Sequence, residues 1–371
     1  MTHRAPIAMT PIAMTMGEPA GIGVEISLKT WNRRAIYDLP PFYLIADPDH
    51  VRATAADLAA VSYANVGKVG SRATPPPTPV IEITNPGEAT AHFERGLPVL
   101  AQPLAARPVP GQLNEANAPA VINAIETAVQ HVQTGQASAV VTNPIQKSTL
   151  HAAGFQHPGH TEFLSALSGG QTPVMMLSCP GLKVVPVTIH LPLADAVASL
   201  TTEMIVERAI IAAAALDRDL GFSPPRLAIA GLNPHAGEAG DLGDAEAKII
   251  QPAIDQLRAK GIQVMGPMAA DSMFHEAARA QYDVAICMYH DQALIPVKAL
   301  GFDYGINVTL GLPIIRTSPD HGTALDIAGR GAANSLSLTS AVAYAGLIAR
   351  HRGRPQIQGN SQGNHSGTTR A

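Results

Sequence analysis

Three histidines follow apolar, strand-like runs of the sequence, at the positions where the runs end. KVVPVTIH ends at His190, RLAIAGLNPH passes into a loop at His235, and DVAICMYH ends at His290. Functional groups of open α/β sheets collect at the carboxyl ends of strands, so neighbouring strand ends could bring these imidazoles together. Three neutral imidazoles suit a divalent first-row metal and leave coordination positions open for a substrate. The repeated pattern predicts a metal site, although a single histidine at a strand end is more often structural.

Two further polar clusters could bind an anion. HTEFLSAL places His160 and Thr161 at the start of a predicted helix, where free backbone N–H groups favour negative charge. The alternative is that Thr161 only caps this helix. Arg316 follows the apolar run GLPII, which predicts a guanidinium near a strand end. Such a group can bind phosphate or carboxylate through two hydrogen bonds, or it can pair with a structural aspartate.

The glycine-rich segment MGEPAGIG, residues 16–23, does not match a common nucleotide-binding loop. Its glycine spacing differs from GxGxxG, Pro19 interrupts it, and GxxxxGK[ST] does not occur in the sequence. Neither a classical Rossmann site nor a P-loop is therefore indicated, and a nucleotide would have to bind elsewhere.

Strand-like runs alternate with amphipathic or alanine-rich stretches through most of the chain. The predicted strands are 42–46, 139–142, 183–189, 226–230 and 284–288, and the predicted helices are 118–134, 202–220, 245–260 and 272–280. This alternation predicts βαβ units and an α/β fold with a largely parallel core. The second copy of a repeated PIAMT, residues 11–15, is predicted to enter the first strand. The segment 352–371 lacks apolar periodicity and is predicted to be a disordered tail.

Composition limits the class of protein. The 371 residues exceed what one hydrophobic core usually covers, so two lobes are expected. Aromatic residues make up 4% and the formal charge is -4, which argues against a nucleic-acid partner. Cys179 and Cys287 lie in apolar surroundings without CxxC spacing, as expected for thiols in a reducing compartment. No apolar run reaches the roughly 20 residues that span a bilayer, so we expect a cytosolic protein without a membrane partner.

Long motifs over residues 12–351 resemble, in the same order, the PdxA family of 4-hydroxythreonine-4-phosphate dehydrogenases. They include TMGEPAGIGVEI, TNPIQKSTLHAAGFQHPGHTEFL, TIHLPL, GLNPHAGEAG, GPMAADSMF and MYHDQALIPVKALGFDYGINVTLGLPIIRTSPDHGTALDIAGRG. The resemblance implies a two-domain fold like that of isocitrate and isopropylmalate dehydrogenases, with the active site in the interdomain cleft. Residues 12–140 with 305–351 would form the lobe that carries the NAD loop, and residues 141–304 the lobe with the metal and the dimer interface.

The resemblance also implies roles for single residues. The implied ligands of one divalent metal (zinc, cobalt, magnesium or manganese) are His190, His235 and His290. The implied substrate contacts are His160, Thr161, Lys298, Asn307 and Arg316. Residues 320–334 also resemble the NAD loop of isocitrate and isopropylmalate dehydrogenases, which places NAD or NADP near Asn233, Asp320, His321 and Asn334. The family is homodimeric, with the metal site shared between the subunits.

The implied reaction is NAD-dependent oxidation of 4-phosphooxy-L-threonine at C3, followed by decarboxylation to 3-amino-2-oxopropyl phosphate in vitamin B6 biosynthesis. Lys298 could assist proton transfer or hold an anionic group, while Asp271 and Asp291 could orient a ligand histidine or the substrate amine. The general base and the native metal stay open. Asn143 and Gln146 depart from the family pattern, as does the AAD before Ser272, and these departures could alter substrate choice.

Two other functions fit the same residues. One is a dehydrogenase of the same fold that acts on a phosphorylated threonate- or erythronate-like acid, or on a cis-dihydrodiol. The other is a metal or anion binder without catalytic activity. The NAD-like loop argues against the second, since a storage protein has no use for it.

Overall fold

The computed structural model describes residues 10–66 and 76–353. The strands of this part of the chain are β1 (Ile12–Thr15), β2 (Phe42–Ala46), β3 (Val80–Ile83), β4 (Leu97–Ala101), β5 (Val140–Thr142), β6 (Val174–Cys179), β7 (Leu182–Pro186), β8 (Arg226–Ala230), β9 (Gln263–Met268), β10 (Val284–Cys287), β11 (Ile306–Leu310) and β12 (Arg316–Pro319). The α-helices are α1 (Gly23–Asn32), α2 (Pro48–Val66), α3 (Glu88–His92), α4 (Ala118–Gln133), α5 (Lys147–Ala152), α6 (His160–Leu167), α7 (Leu193–Ser199), α8 (Thr202–Leu220), α9 (Gln251–Ala259), α10 (Glu276–Arg279), α11 (His290–Gly301) and α12 (Leu336–Arg352).

All the strands of the described residues join one sheet, in the order β3–β4–β2–β1–β5–β12–β11–β6–β7–β10–β8–β9. Neighbouring strands are parallel except at β12–β11, β11–β6 and β6–β7. The predicted α/β class with a mostly parallel sheet is therefore confirmed. The three antiparallel pairs reverse the strand direction, so the strands on the two flanks of the sheet run in opposite senses.

Several strands of the sheet are buried along their whole length. Every residue of β1, β2 and β10 is buried, and helices connect successive parallel strands. Apolar runs without alternation are typical of strands covered on both faces. The large core extends from these strands to Trp31 of α1, whose indole Nε1–H donates to the Phe93 carbonyl at 2.8 Å.

Most predicted elements are present near their predicted bounds. Helix α8 has the predicted range, α4 ends one residue earlier than predicted, and β1 includes the second PIAMT copy. The predicted helix 245–260 consists of a π-helical turn, Glu246–Ile250, followed by α9. The predicted helix 272–280 is wrong at its start, because the amides of Ser272 and Met273 close a turn on the Ala269 carbonyl and only α10 is helical.

The predicted tail begins too early. Arg352 is the last residue of α12, and its guanidinium binds the buried carboxylate of Asp219 at 2.7 Å. A charged partner in the core holds this residue in the helix despite the lack of apolar periodicity. The segment 354–371 lies outside the described residues, and the division into two lobes stays a prediction.

In the part of the chain that the structure describes, no helix is both long and apolar enough to cross a membrane.

Candidate active site

The strand ends that carry the predicted site lie side by side. β7, β10 and β8 are consecutive parallel strands, so their carboxyl ends meet at one edge of the sheet. Beyond β7 the chain stays extended, because the amides of Val187 and Thr188 bond to the Cys287 and Met288 carbonyls. Next to this edge is a cavity of about 360 Å³, here called the main cavity. Eight of the predicted site residues line it: His160, Thr161, His190, His290, Asn307, Arg316, Asp320 and His321.

Arg316 places a buried positive charge in the main cavity. It is 4% exposed, and it donates hydrogen bonds to the hydroxyls of Thr309 at 3.0 Å and Thr142 at 2.8 Å. Burial lowers the pKa of this guanidinium to about 10. Its Nε is buried without a partner, and Arg316 forms no ion pair with any described residue. The alternative of an arginine paired with a structural aspartate is therefore not what the described residues show.

The position of Arg316 in its strand differs from the prediction. The run GLPII is a turn, not a strand, because the chain bends at Gly311 with a φ of +82° and passes through Pro313. Arg316 consequently begins β12, at the amino end of that strand, and does not follow a strand formed by GLPII. Its side chain reaches the cavity between β5 and β11, since β12 pairs with β11 and β5.

His160 and Thr161 open helix α6 as predicted. The residue that caps this helix is Gly159, so Thr161 is within the helix and does not act as its cap. Burial, with the charges of Arg316 and Lys147, lowers the pKa of His160 well below its usual value. Its Nε2 is buried and has no hydrogen-bond partner among the described residues. A neutral imidazole with a free nitrogen, beside two cations, suits hydrogen bonding to an anionic ligand.

His190 and His290 form a pair at the ends of adjacent strands. Their ring centroids are 5.9 Å apart. Nδ1 of His290 is 2.8 Å from a carboxylate oxygen of Asp291, as predicted for a group that orients a ligand histidine. Burial first, and then the charges of Lys147 and His290, lower the pKa of His190. Two imidazoles beside each other fit the donor set of a divalent metal.

His235 is not part of this pair. It lies exposed on the turn Pro234–Gly240 after β8 and does not line the main cavity. Within residues 10–66 and 76–353, no group of three histidine, cysteine or acidic side chains is arranged to hold a metal. His190 (φ +55°) and His235 (φ +51°) both have a left-handed backbone, which residues other than glycine rarely adopt. For His235 this conformation is a property of the whole turn, because Ala236, Glu238 and Ala239 also have positive φ.

A second cavity of about 400 Å³, here called the side cavity, adjoins the main cavity. Asp320 and His321 line both cavities, whereas Lys298 and Asn334 line only the side cavity. The Lys298 Nζ contacts a carboxylate oxygen of Asp320 at 2.6 Å and the Asp320 carbonyl at 2.7 Å. Three of the residues predicted to contact NAD therefore lie together, and Lys298 is paired with one of them.

Like His235, the predicted residues Asn233 and Asp271 line neither cavity. The Asn233 carboxamide donates to Glu246 at 2.9 Å, next to the turn that carries His235. Asp271 is exposed on the turn after β9. Neither residue contributes to the site that a single chain forms.

Lys147 and Glu162 line the main cavity but were not predicted. Lys147 is the first residue of α5, shortly after β5 ends, and it has no ion pair with a described residue. The signal used for the three histidines, a polar residue that closely follows an apolar strand, also marks Lys147. Lys147 was not predicted because four residues, Asn143 to Gln146, separate it from the end of the strand.

Two of the departures from the family pattern, Asn143 and Gln146, lie at the edge of this site. The Asn143 carboxamide donates to the Thr15 carbonyl and to the Ser27 hydroxyl, both at 2.9 Å, so most of its hydrogen bonding is within the core. Gln146 accepts a hydrogen bond from Thr323 at 3.2 Å. Both side chains are engaged by the protein itself.

A mostly parallel α/β sheet that presents imidazoles, a buried guanidinium and a helix start around one cavity defines an enzyme-like site for a small anionic ligand. The model of the family described as "Pyridoxal phosphate biosynthetic protein PdxA" matches residues 40–345, and the chain belongs to that family.

Individual relatives are similar over nearly the whole chain. The 4-hydroxythreonine-4-phosphate dehydrogenase of Bradyrhizobium diazoefficiens is 51% identical, over 92% of this chain and 98% of its own. The crystal structure of the enzyme of that name from Klebsiella pneumoniae has a TM-score of 0.78 at 36% identity, covering 92% of this chain and 99% of that chain. A terephthalate 1,2-cis-dihydrodiol dehydrogenase from Burkholderia xenovorans LB400 has a TM-score of 0.59 at 26% identity, covering 91% and 98%.

Proposed function

We propose that this protein is an NAD-dependent 4-hydroxythreonine-4-phosphate dehydrogenase. It oxidises the C3 hydroxyl of 4-phosphooxy-L-threonine with transfer of a hydride to NAD, and the β-keto acid then loses carbon dioxide to give 3-amino-2-oxopropyl phosphate. The observation that carries the proposal is the buried Arg316 cation, which lines the main cavity with His160 and has no carboxylate partner among the described residues. The similarity to enzymes of that name over nearly the whole chain supports it.

The chain's own residues bind and orient the substrate. Arg316 and Lys147 supply positive charge for the phosphate or the carboxylate, and the neutral His160 supplies one hydrogen bond. Asn307 and Thr161 line the same cavity and can bind the remaining polar groups of the substrate. Because Arg316 is fixed by two threonine hydroxyls, it needs little reorganisation when an anion binds.

The His190 and His290 pair would hold a divalent metal together with His235. When bound, the metal supplies Lewis-acid polarisation of a hydroxyl or carbonyl oxygen. The contact between Asp291 and Nδ1 of His290 fits this role. Three imidazoles suit zinc, cobalt or manganese, and magnesium is compatible if substrate oxygens complete its shell.

The separation of His235 from the other two histidines suggests that a second copy of the chain completes the site. Leu193 of α7 is 60% exposed and Ile295 of α11 is 67% exposed, and these helices follow His190 and begin at His290. Large exposed apolar side chains beside an incomplete site are typical of a subunit interface. We therefore propose a homodimer in which His190 and His290 of one subunit share the metal with His235 of the other.

The side cavity is proposed to hold part of NAD or NADP, near Asp320, His321 and Asn334. We also propose that the chain forms two lobes, that the site lies in the cleft between them, and that the protein is cytosolic.

The reaction is tested with purified protein, a divalent metal and NAD, by following NADH formation with 4-phosphooxy-L-threonine, a phosphorylated threonate and a cis-dihydrodiol. Turnover with the first substrate is expected. Turnover with another substrate only, under the same conditions, would refute the proposal in favour of a dehydrogenase of different specificity. The structural similarity to the cis-dihydrodiol dehydrogenase is the observation that favours that second candidate. A protein that oxidises none of them but retains metal would be a binder.

The shared metal site is tested with His290→Ala and His235→Ala. Each variant alone is expected to lose both bound metal and turnover. When the two are unfolded, mixed in equal amounts and refolded, half of the dimers are hybrids, and each hybrid contains one site with all three histidines. In a twofold-symmetric dimer about a quarter of the wild-type activity should therefore return. No return of activity from correctly refolded mixtures would place all three ligands in one subunit.

A further inference from the structure

The turn that carries His235 has a conformation that needs support from outside itself. His235, Ala236, Glu238 and Ala239 all have φ between +43° and +58°, in the left-handed region. Residues other than glycine adopt this region only at a cost, so several in one turn persist only where the surrounding structure holds them. Glu246, the first residue of the π-helical turn before α9, contacts this segment from outside.

Glu246 contacts the chain on both sides of His235. On one side, its Oε1 accepts from the amides of Leu232 at 2.8 Å and Asn233 at 2.7 Å, and its Oε2 accepts from the Asn233 carboxamide at 2.9 Å. On the other side, Oε2 lies so close to Gly237 that a Cβ at that position would be 2.6 Å away. His235 therefore lies between two points that contact the same carboxylate, while its own side chain stays exposed.

The carboxylate of Glu246 is buried and acts only as an acceptor. Glu246 is 6% exposed, and it forms no ion pair with any described residue. Burial alone would raise its pKa, but the hydrogen bonds from Asn233 and Leu232 outweigh burial and lower the pKa below its ordinary value. An ionised carboxylate has no donor of its own, and its hydrogen bonds are stronger than those of a neutral acceptor. Glu246 therefore fixes the path of the backbone that leads to His235.

We propose that Glu246 is the positioning residue of His235 and that it thereby controls the affinity of the metal site. The inference rests on the proposed function, in which His235 completes the metal site of the other subunit. A ligand on an exposed turn binds tightly only if its backbone is already fixed, because metal binding otherwise has to order the turn. Glu246 acts through His235 and touches neither the metal nor the substrate.

The affinity for zinc tests the proposal without any turnover. Glu246→Ala leaves two buried amides without their acceptor, so the dissociation constant of zinc should rise about tenfold. In Glu246→Gln one oxygen can still accept from both amides, so the dissociation constant should rise less. The measurement is competition for zinc between the full-length protein and a chromogenic chelator, in the absence of substrate and NAD.

Asp47→Ala is the matched control. One oxygen of Asp47 accepts from the amides of Asp49 at 2.9 Å and His50 at 3.2 Å. The other accepts from the Leu104 amide at 3.0 Å, so the three bonds are divided as in Glu246. Asp47 follows β2, on the opposite flank of the sheet from β8, and it lines neither the main cavity nor the side cavity. Both alanine variants should be less stable in urea than the wild type, but Asp47→Ala should keep the wild-type affinity for zinc.

Hybrid dimers test whether Glu246 acts on the site of the other subunit. When His235→Ala and His290→Ala chains are refolded together, the complete site of a hybrid takes His235 from the chain that carries His290→Ala. Glu246→Ala on that chain should raise the zinc concentration needed for half-maximal NADH formation about tenfold. Glu246→Ala on the chain that carries His235→Ala should leave this concentration unchanged. A general loss of folding would affect both mixtures equally.

Two outcomes would overturn the inference. If Glu246→Ala has the wild-type dissociation constant for zinc, Glu246 only stabilises the fold. If the two hybrid mixtures respond equally, Glu246 does not act through His235. Should Glu246→Ala fail to fold, Glu246→Gln is measured in both experiments, and a shift confined to the chain that supplies His235 supports the inference while no shift overturns it.

A failure of the proposed function gives a different result. If His235→Ala and His290→Ala chains with intact Glu246 do not complement each other, the shared metal site is refuted. The affinity of Glu246→Ala for zinc then still shows whether Glu246 positions His235 within one chain.

Discussion

Replacing Arg316 by methionine should separate the stability of the protein from its ability to bind an anion. The guanidinium is 4% exposed, and burial lowers its pKa well below its ordinary value, to about 10. Because the pKa of the folded state lies below that of the unfolded chain, folding disfavours the charged form, and this cost applies in full at every pH below about 10. A shift of this size corresponds to roughly 3 kcal/mol.

The favourable terms that methionine removes are of similar size. The two hydrogen bonds to Thr309 and Thr142 stabilise the folded state by about 1.5 kcal/mol each, since the donor is charged. The removed cost of the buried charge and the loss of the two hydrogen bonds nearly cancel. The free energy of unfolding of Arg316→Met should therefore lie within about 2 kcal/mol of the wild-type value. Ligand binding has no such compensation, and the loss of a pre-oriented, charged donor should raise KM for the phosphorylated substrate about 100-fold.

Urea unfolding and steady-state kinetics measure the two effects independently. Arg226→Met is the control, because Arg226 is an arginine paired with Asp283 at 2.8 Å and it does not line the main cavity. Its KM should equal that of the wild type. If Arg316→Met lowers the free energy of unfolding by more than about 4 kcal/mol, Arg316 mainly stabilises the fold. If KM is unchanged, Arg316 does not bind the anion.

Three other predictions concern the site and the core. Lys147→Met should raise KM for the phosphorylated substrate about tenfold with little change in kcat, because the main cavity loses a cation that has no ion pair among the described residues. Lys147→Arg should restore most of the affinity. The prediction is wrong if steady-state kinetics of both variants match those of the wild type. Trp31→Ala should lower the free energy of unfolding, measured in urea, by about 3–5 kcal/mol, since the indole is 5% exposed and donates to the Phe93 carbonyl. A loss below about 1 kcal/mol would contradict the tight packing of α1. Cys179 and Cys287 should react with a thiol reagent only slowly in the native protein and rapidly in urea. Both are buried, and burial raises the pKa of each thiol. Fast labelling of the native protein would show that β6 and β10, which contain these cysteines, open in the folded state.

Local sequence patterns predicted the elements whose signals are contained within one segment. The apolar runs of β2, β8 and β10 and the amphipathic stretch of α8 were assigned to within a residue, because burial on two faces or on one helical stripe is visible in the residues themselves. The antiparallel strands β6, β11 and β12 were not predicted. β11 and β12 each have one partner more than a hundred residues away, β6 and β5 respectively, and no local pattern records such partners.

The start of β12 shows how a local reading fails. GLPII has the composition of a buried strand, yet Gly311 and Pro313 turn the chain, and the strand begins only at Arg316. The pairing of Thr309 with Arg316 across β11 and β12 then buries the guanidinium. The burial of Arg316 has no signal in the local sequence, because residues that surround its guanidinium, such as Thr142 of β5, come from other segments.

The class of fold, the family and the kinds of chemical group in the site could be predicted from the residues alone. Residue types and their order along the chain carry that information, since periodic burial and long motifs are properties of a single linear segment. Which groups meet could be seen only in the folded chain. It placed His190 beside His290 and left His235 on a separate turn, and it paired Lys298 with Asp320 while it brought the unpredicted Lys147 into the main cavity. The physical reason is that the distance between two side chains depends on strand order and on the path of each loop after its strand, and these are set by packing across the whole sheet.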